Sequence, residues 1–99
     1  MKTAIELIVD ERKRQIEVKG YTKDLDDRIN SHGSLAGAAS VYAMPMVYRG
    51  GIIRFWPWSP EVYKPSEDYE GRGRIKELVK AGALIVAEIE RLQRKEEIK

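Results

Sequence analysis

A mainly α fold, a small helical bundle carrying one long irregular aromatic loop and assembling as a homo-oligomer, is predicted by three features of this chain. Apolar residues recur at helical spacing near both ends, a run of small residues lies between them, and proline and glycine concentrate in one block, residues 45–73. The expected helices cover about 4–19, 34–44 and 74–95 of a single domain spanning 1–99.

The first helix opens on Thr3 and Glu6, the spacing at which a hydroxyl and a carboxylate satisfy each other's backbone donors, and Gly20 supplies its stop. Ile5, Ile8, Val9 and Ile16 share a face, and Arg12 interrupts it. A guanidinium on an apolar face needs an anionic partner, because an unpaired buried charge costs several kcal/mol. Two partners fit: Asp26 or Asp27 as an internal salt bridge, or the phosphate of a ligand.

Next comes Tyr21 to Asp27, a loop or short helical turn in which Asp24, Asp26 and Asp27 crowd together. Such crowding is relieved by caps, arginines and water, or by a divalent cation. His32 sits in the following turn without a second histidine to chelate beside it and reads as a loop residue. Leu35 to Met44 is a helix of small residues that Pro45 ends, and its smooth surface should let another helix, at Gly82, approach closely.

Within the irregular block, Met46-Val47-Tyr48 can pair with Ile52 to Trp56 as a short β-hairpin across Arg49-Gly50-Gly51. Trp56 and Trp58 are either a hydrophobic lid over the core or a stacking platform for a base, with Arg49, Arg54, Lys64, Arg72 and Arg74 near in sequence to meet phosphates. The last helix is apolar on two sides. Its broad face, from Ile75 and Leu78 to Ile89 and Leu92, is expected to meet the small-residue helix. The opposite side, with Glu77, Lys80, Leu84, Glu88 and Arg91, is expected to face a second subunit or a shared site. The final residues, to Lys99, form a charged, fraying tail.

Composition narrows the function classes. Apolar residues make up 42% and charged residues 34% of the 99, which fits a soluble globular protein. Lys80 and Glu88 interrupt the longest apolar run, so no membrane span is expected, and Met1-Lys2 leads into a helix rather than a signal peptide. The absence of cysteine excludes disulfides and thiolate metal sites, and a cytoplasmic location is the default. With a net charge of only +2 and no helix with a basic recognition face, DNA is not the expected partner.

Glu11-Arg12-x-Arg14-Gln15, Gly20-Tyr21-Thr22 with Asp26-Asp27, Trp56-Pro57-Trp58, Lys64-Pro65 and Leu78 to Leu92 resemble a group of small bacteriophage and prophage proteins over most of the chain. Leu25 stands where those proteins often have histidine, and the passage before Trp56 is longer than theirs. A more distant similarity is to the all-α, MazG-like nucleoside-triphosphate pyrophosphohydrolases, helical oligomers that hold magnesium on two acidic motifs. That resemblance implies metal roles for Glu11 and Glu77, with Asp26 and Asp27 as substitutes for missing acids. It departs at Lys80, where the second motif needs Asp, and at Arg12 and Gln15, which replace acids of the first.

The resulting expectation is a phage protein that holds a nucleotide or another phosphate-bearing small molecule, sequestering a nucleotide signal of host defence in an infected or lysogenic bacterium. Its ligand-binding residues would be Arg12, Gln15, Trp56, Trp58, Lys64 and Lys80. The alternatives are a magnesium-dependent pyrophosphohydrolase using Glu11, Asp26, Asp27 and Glu77, and a module that anchors a host protein through Trp56, Trp58 and Tyr63.

Overall fold

The structure, a computed structural model, describes residues 1–20 and 22–98. Tyr21, expected in a loop or short helical turn, and Lys99, expected in the charged tail, lie outside the described residues. Among the described residues the chain forms four α-helices, α1 (Ala4–Glu17), α2 (Lys23–Ile29), α3 (Ser34–Ala43) and α4 (Arg72–Ile98). Three 3-10 segments, Met46–Gly51, Ile53–Phe55 and Pro60–Val62, connect α3 to α4, and there is no strand.

The capping box of α1 forms as expected: Glu6 N donates to Thr3 Oγ1 at 3.2 Å and Thr3 N donates to Glu6 Oε1 at 2.8 Å. The helix stops at Glu17, two residues early, because the amides of Val18 and Lys19 both turn back to the Arg14 carbonyl. Gly20, at φ 74°, then redirects the chain in the left-handed region. Thr22 starts α2 by accepting from Leu25 N at 3.3 Å.

Helix α4 begins two residues earlier than expected and takes in Gly73. Asp68 accepts from the Gly73 amide at 3.0 Å and itself donates its amide to Ser66 Oγ at 3.1 Å. A Cβ at position 73 would lie 1.9 Å from Ser66 Oγ, so only glycine admits this close approach inside the helix.

The core joins α3 to α4. Leu35, Ala38, Ala39 and Tyr42 pack with Ala81, Leu84 and Ala87, and Trp56, Trp58 and Tyr63 cover that cluster from the loop. Two expectations are thereby corrected. The face of α4 turned to α3 is the small-residue side with Ala81, Leu84 and Ala87. The broad side is left about half-exposed, with Ile75 at 53%, Leu78 at 47%, Ile85 at 46%, and Ile89 and Leu92 at 49% each. Alanine against alanine brings the backbones close enough for dense packing, whereas the isoleucines would hold them apart. Gly82 receives α1 rather than α3: a Cβ there would be 2.8 Å from Ile8 Cδ1. Glu77 and Arg91 go inward with this face because each finds an oppositely charged partner within the chain.

The expected hairpin is replaced by 3-10 turns. Arg49 is the reason: its guanidinium donates to the carbonyls of Tyr42 and Met44 at 3.2 and 2.8 Å and pulls the chain back onto the end of α3. No helix among the described residues is long and apolar enough to cross a membrane.

Candidate functional site

A cleft of about 610 Å³ opens where α1, α4 and the aromatic loop meet. From α1 it receives Leu7, Glu11 and Gln15, which the i, i+4 spacing lines up on one side of the helix, together with Arg14, while Lys19 reaches it from the turn after the helix. Tyr42, Trp56 and Trp58 form an aromatic wall, and Lys64, Lys76, Lys80 and Leu84 complete the lining. Counting Asp10 as well, five cationic side chains face two carboxylates. Five of the six ligand-binding residues expected from sequence, Gln15, Trp56, Trp58, Lys64 and Lys80, therefore share one cavity.

Lys80 is the charged centre of this cleft. Its Nζ donates to the Lys64 carbonyl at 3.3 Å and stands 5.3 Å from the centre of the Tyr42 ring. Among the described residues no carboxylate comes within ion-pair distance of it. Burial pushes its ammonium below the usual lysine range, with the charge of Glu11 acting in the other direction. Gln15 is 3% exposed, and its Nε2 donates weakly to Glu11 Oε2 at 3.4 Å. Its Oε1 is the buried side-chain polar atom left without a hydrogen-bond partner among the described residues. An orphaned amide oxygen costs about 1–3 kcal/mol, which a donor entering the cleft can recover.

The tryptophans serve both as lid and as wall. Trp56 meets Tyr42 and Trp58 edge-on at 5.4 Å each and Tyr63 at 5.0 Å, and its Nε1 donates to the Ser59 carbonyl. Trp58 is held by a polar chain: its Nε1 donates to Asn30 Oδ1 at 3.0 Å, and Asn30 Nδ2 donates to Asp26 Oδ1 at 3.0 Å. Arg12 Nη2 then meets Asp26 Oδ2 at 3.5 Å.

Arg12, the sixth expected ligand residue, therefore lies outside the cleft. It pairs with Asp26 and, at 3.1 Å, with Glu90, and borders a shallow second depression with Ile16, Thr22, Lys23 and Arg94. Of the carboxylates open to it from sequence, Asp26 is the one it meets. Through Asp26 and Asn30 it positions Trp58.

The four expected metal carboxylates do not assemble. Glu11 is held by Arg14 at 2.8 Å, Asp27 by Arg94 at 2.8 Å, and Asp26 by Arg12 and Asn30. Glu77 is 1% exposed and takes four donors, Arg49 Nη1 and Nη2, Arg74 Nη1 and the Ser66 amide, at 2.8 to 3.2 Å. Burial alone pushes the Glu77 carboxyl up, but the hydrogen bonds from Arg49 and Ser66 and the charge of Arg49 hold it below the usual carboxylate range. Asp26 shows the opposite balance, raised by burial that the bond from Asn30 and the charge of Arg12 only partly offset. Among the described residues no three His, Cys, Asp or Glu side chains group as a metal site. These carboxylates, each paired with an arginine, do not fit a magnesium cage.

Sequence reasoning placed Arg49 and Arg74 among the phosphate-binding cations, yet both are turned to Glu77 and to the carbonyl end of α3. It overlooked Arg14, Lys19 and Tyr42 in the cleft. Lys19 reaches the cleft from the turn after α1 and Tyr42 through the packing of α3, and local spacing gives neither position. Comparison with protein-family models, with curated proteins and with solved structures finds no match to this chain.

Proposed function

We propose that the cleft binds a nucleotide, holding its phosphates at Lys80, Lys64 and Lys19 and its base against Trp58. Gln15 Oε1 accepts a hydrogen bond from the base or sugar. The observation that carries this reading is Lys80, a partly buried ammonium with aromatic neighbours and no carboxylate partner among the described residues, in a cavity of a size suited to a small molecule. An anionic ligand with an aromatic base supplies a counter-charge for Lys80, a hydrogen-bond donor for Gln15 Oε1 and a flat face for the aromatic wall. Binding without cleavage is favoured because Glu11, Asp26, Asp27 and Glu77 are each already engaged by arginine.

On the strength of the resemblance to small phage and prophage proteins, the biological role we propose is sequestration of a nucleotide signal of host defence in the bacterial cytoplasm, by a homo-oligomer. Isothermal titration against linear and cyclic nucleotides tests the reading. Saturable heat with at least one of them is expected, accompanied by quenching of tryptophan fluorescence. No heat with any would overturn it. Release of pyrophosphate from a nucleoside triphosphate and magnesium would instead establish the pyrophosphohydrolase reading.

A host-protein module is the second reading, favoured by a specific observation: Val47, Tyr48 and Phe55 turn outward from the 3-10 segments at 73%, 67% and 55% exposure. Capture of a host protein that is lost in Tyr48→Ala/Phe55→Ala, with nucleotide binding unchanged, would support it.

A further inference from the structure

The broad side of α4 that the fold leaves uncovered has a regular spacing. Ile75, Leu78, Gly82, Ile85, Ile89 and Leu92 follow one another at intervals of three and four residues, the a and d positions of a heptad seam about 26 Å long. The five large residues among them are all about half-exposed. A lone helix of a finished bundle puts polar residues there. We propose that this seam is the contact between two copies of the chain, with the two α4 helices antiparallel across a two-fold axis that passes between Gly82 and Ile85.

The register argues for a second copy over any other occupant. In an antiparallel pair an a residue of one helix lies opposite a d residue of the other. Turned end to end, this seam matches itself: Ile75 falls opposite Leu92, Leu78 opposite Ile89, and Gly82 opposite Ile85. The outer pairs set large side chains against large ones, and at mid-seam Ile85 meets the surface that Ile8 of the other copy makes over its Gly82. Self-complementarity of this kind is what an isologous two-fold contact requires.

Surface area supports the same conclusion. The chain exposes 6862 Å². A compact monomer of this mass is expected to expose about 5,800 Å². The surplus, on the order of 1,000 Å², is comparable to the roughly 800 Å² that each partner buries in a standard interface. The radius of gyration, 13.6 Å, likewise exceeds the roughly 12.6 Å expected for a chain of this length. Ile5 and Val9, 73% and 48% exposed on α1, add apolar surface on the helix that packs against α4. Because Ile75 also lines the cleft, the dimer brings the partner's Leu92 end of α4 alongside it.

The test combines mass and register. Sedimentation equilibrium should give twice the 11.4 kDa chain mass, and Ile85→Lys/Ile89→Lys should give the monomer mass with an unchanged far-ultraviolet circular dichroism spectrum. A monomeric wild type, or a dimer that survives the double lysine substitution, would overturn the proposal. The chain has no cysteine, so the register can be read directly. Ile75→Cys chains mixed with Leu92→Cys chains and mildly oxidised should yield the mixed disulfide, whereas each variant alone stays uncrosslinked. Predominant self-crosslinking of either variant would overturn the antiparallel register, and this readout does not depend on whether the lysine variants fold.

Discussion

Glu77 and Lys80 lie one turn apart on α4, and the protein treats their charges in opposite ways. Glu77 is enclosed, with four donors on its two oxygens and two arginines cancelling its charge. Lys80 faces a cleft with a carbonyl and an aromatic ring for company and no carboxylate at ion-pair distance among the described residues. The contrast extends across the chain. Arg12, Arg14, Arg49, Arg74, Arg91 and Arg94 all sit in ion pairs, and Lys2 is the lysine that joins them among the described residues. The cleft wall, by comparison, takes Lys19, Lys64, Lys76 and Lys80 beside Arg14, the one arginine of the lining among the described residues, which is paired with Glu11. A planar guanidinium can satisfy a buried carboxylate with two parallel bonds, so arginine builds the scaffold. A lysine is a compact point charge on a flexible stem, suited to meet an anion that arrives from solution.

The largest effect expected from breaking this contrast is on the enclosed side. Arg49→Ala removes two of the four donors from Glu77 along with the bonds to Tyr63 and to the end of α3. Both members of the pair are almost completely buried, so leaving Glu77 short of its main partner should cost about 3–5 kcal/mol, read as a loss of denaturation free energy in urea. A loss below about 1 kcal/mol would mean that Arg74 alone suffices and that the Arg49 contact is incidental to stability.

Lys80→Met is expected to act on the other side only. Methionine keeps the aliphatic stem over Tyr42 and removes the charge, so the urea midpoint should hold or rise, in keeping with an ammonium that burial disfavours. Affinity for the nucleotide found by titration should fall about ten- to hundredfold, the value of a charged hydrogen bond of about 1.5–3 kcal/mol. Unchanged affinity would remove Lys80 from the site.

How far such a contrast can be read in advance depends on the range of the interactions that create it. The Thr3–Glu6 capping box, the smoothness of α3 and the helical period of α4 are local, and each is legible in a few consecutive residues. Gln15, Trp56, Trp58, Lys64 and Lys80 were each legible as candidate site residues by chemical type. That one cavity unites them follows from where α1 and the loop dock. The inward face of α4 was not legible, because Ala81, Leu84 and Ala87 and the isoleucine side both have helical spacing, and the choice falls to the size of the residues on α3. Arg49 was equally hidden. Its partner Glu77 is 28 residues away, and nothing near it in sequence distinguishes a phosphate ligand from the side chain that converts an expected hairpin into 3-10 turns.

The finest distinction concerns the two buried carboxylates, and acid titration of stability separates them by sign. Glu77 has its folded-state pKa depressed below the ordinary value of 4.5, so its stabilisation is complete above that value and is lost as pH falls through the folded one. Asp26 is raised above its ordinary 3.8, so between that value and its folded pKa the native state binds the proton more tightly than the unfolded chain, and stability falls as pH rises through the interval. Its contribution therefore opposes that of Glu77. Urea unfolding followed from pH 7 to pH 3 should show a flatter decline for Glu77→Gln than for the wild type, and a steeper one for Asp26→Asn. The polar chain adds a second readout, since Asn at position 26 loosens the hold on Asn30 and Trp58 and should shift tryptophan emission where Glu77→Gln does not. If both substitutions flatten the acid limb, Asp26 is a stabilising ion pair like Glu77. Arg12 would then be a scaffold arginine of the same kind as Arg49, and its chain to the cleft wall would be a by-product of packing.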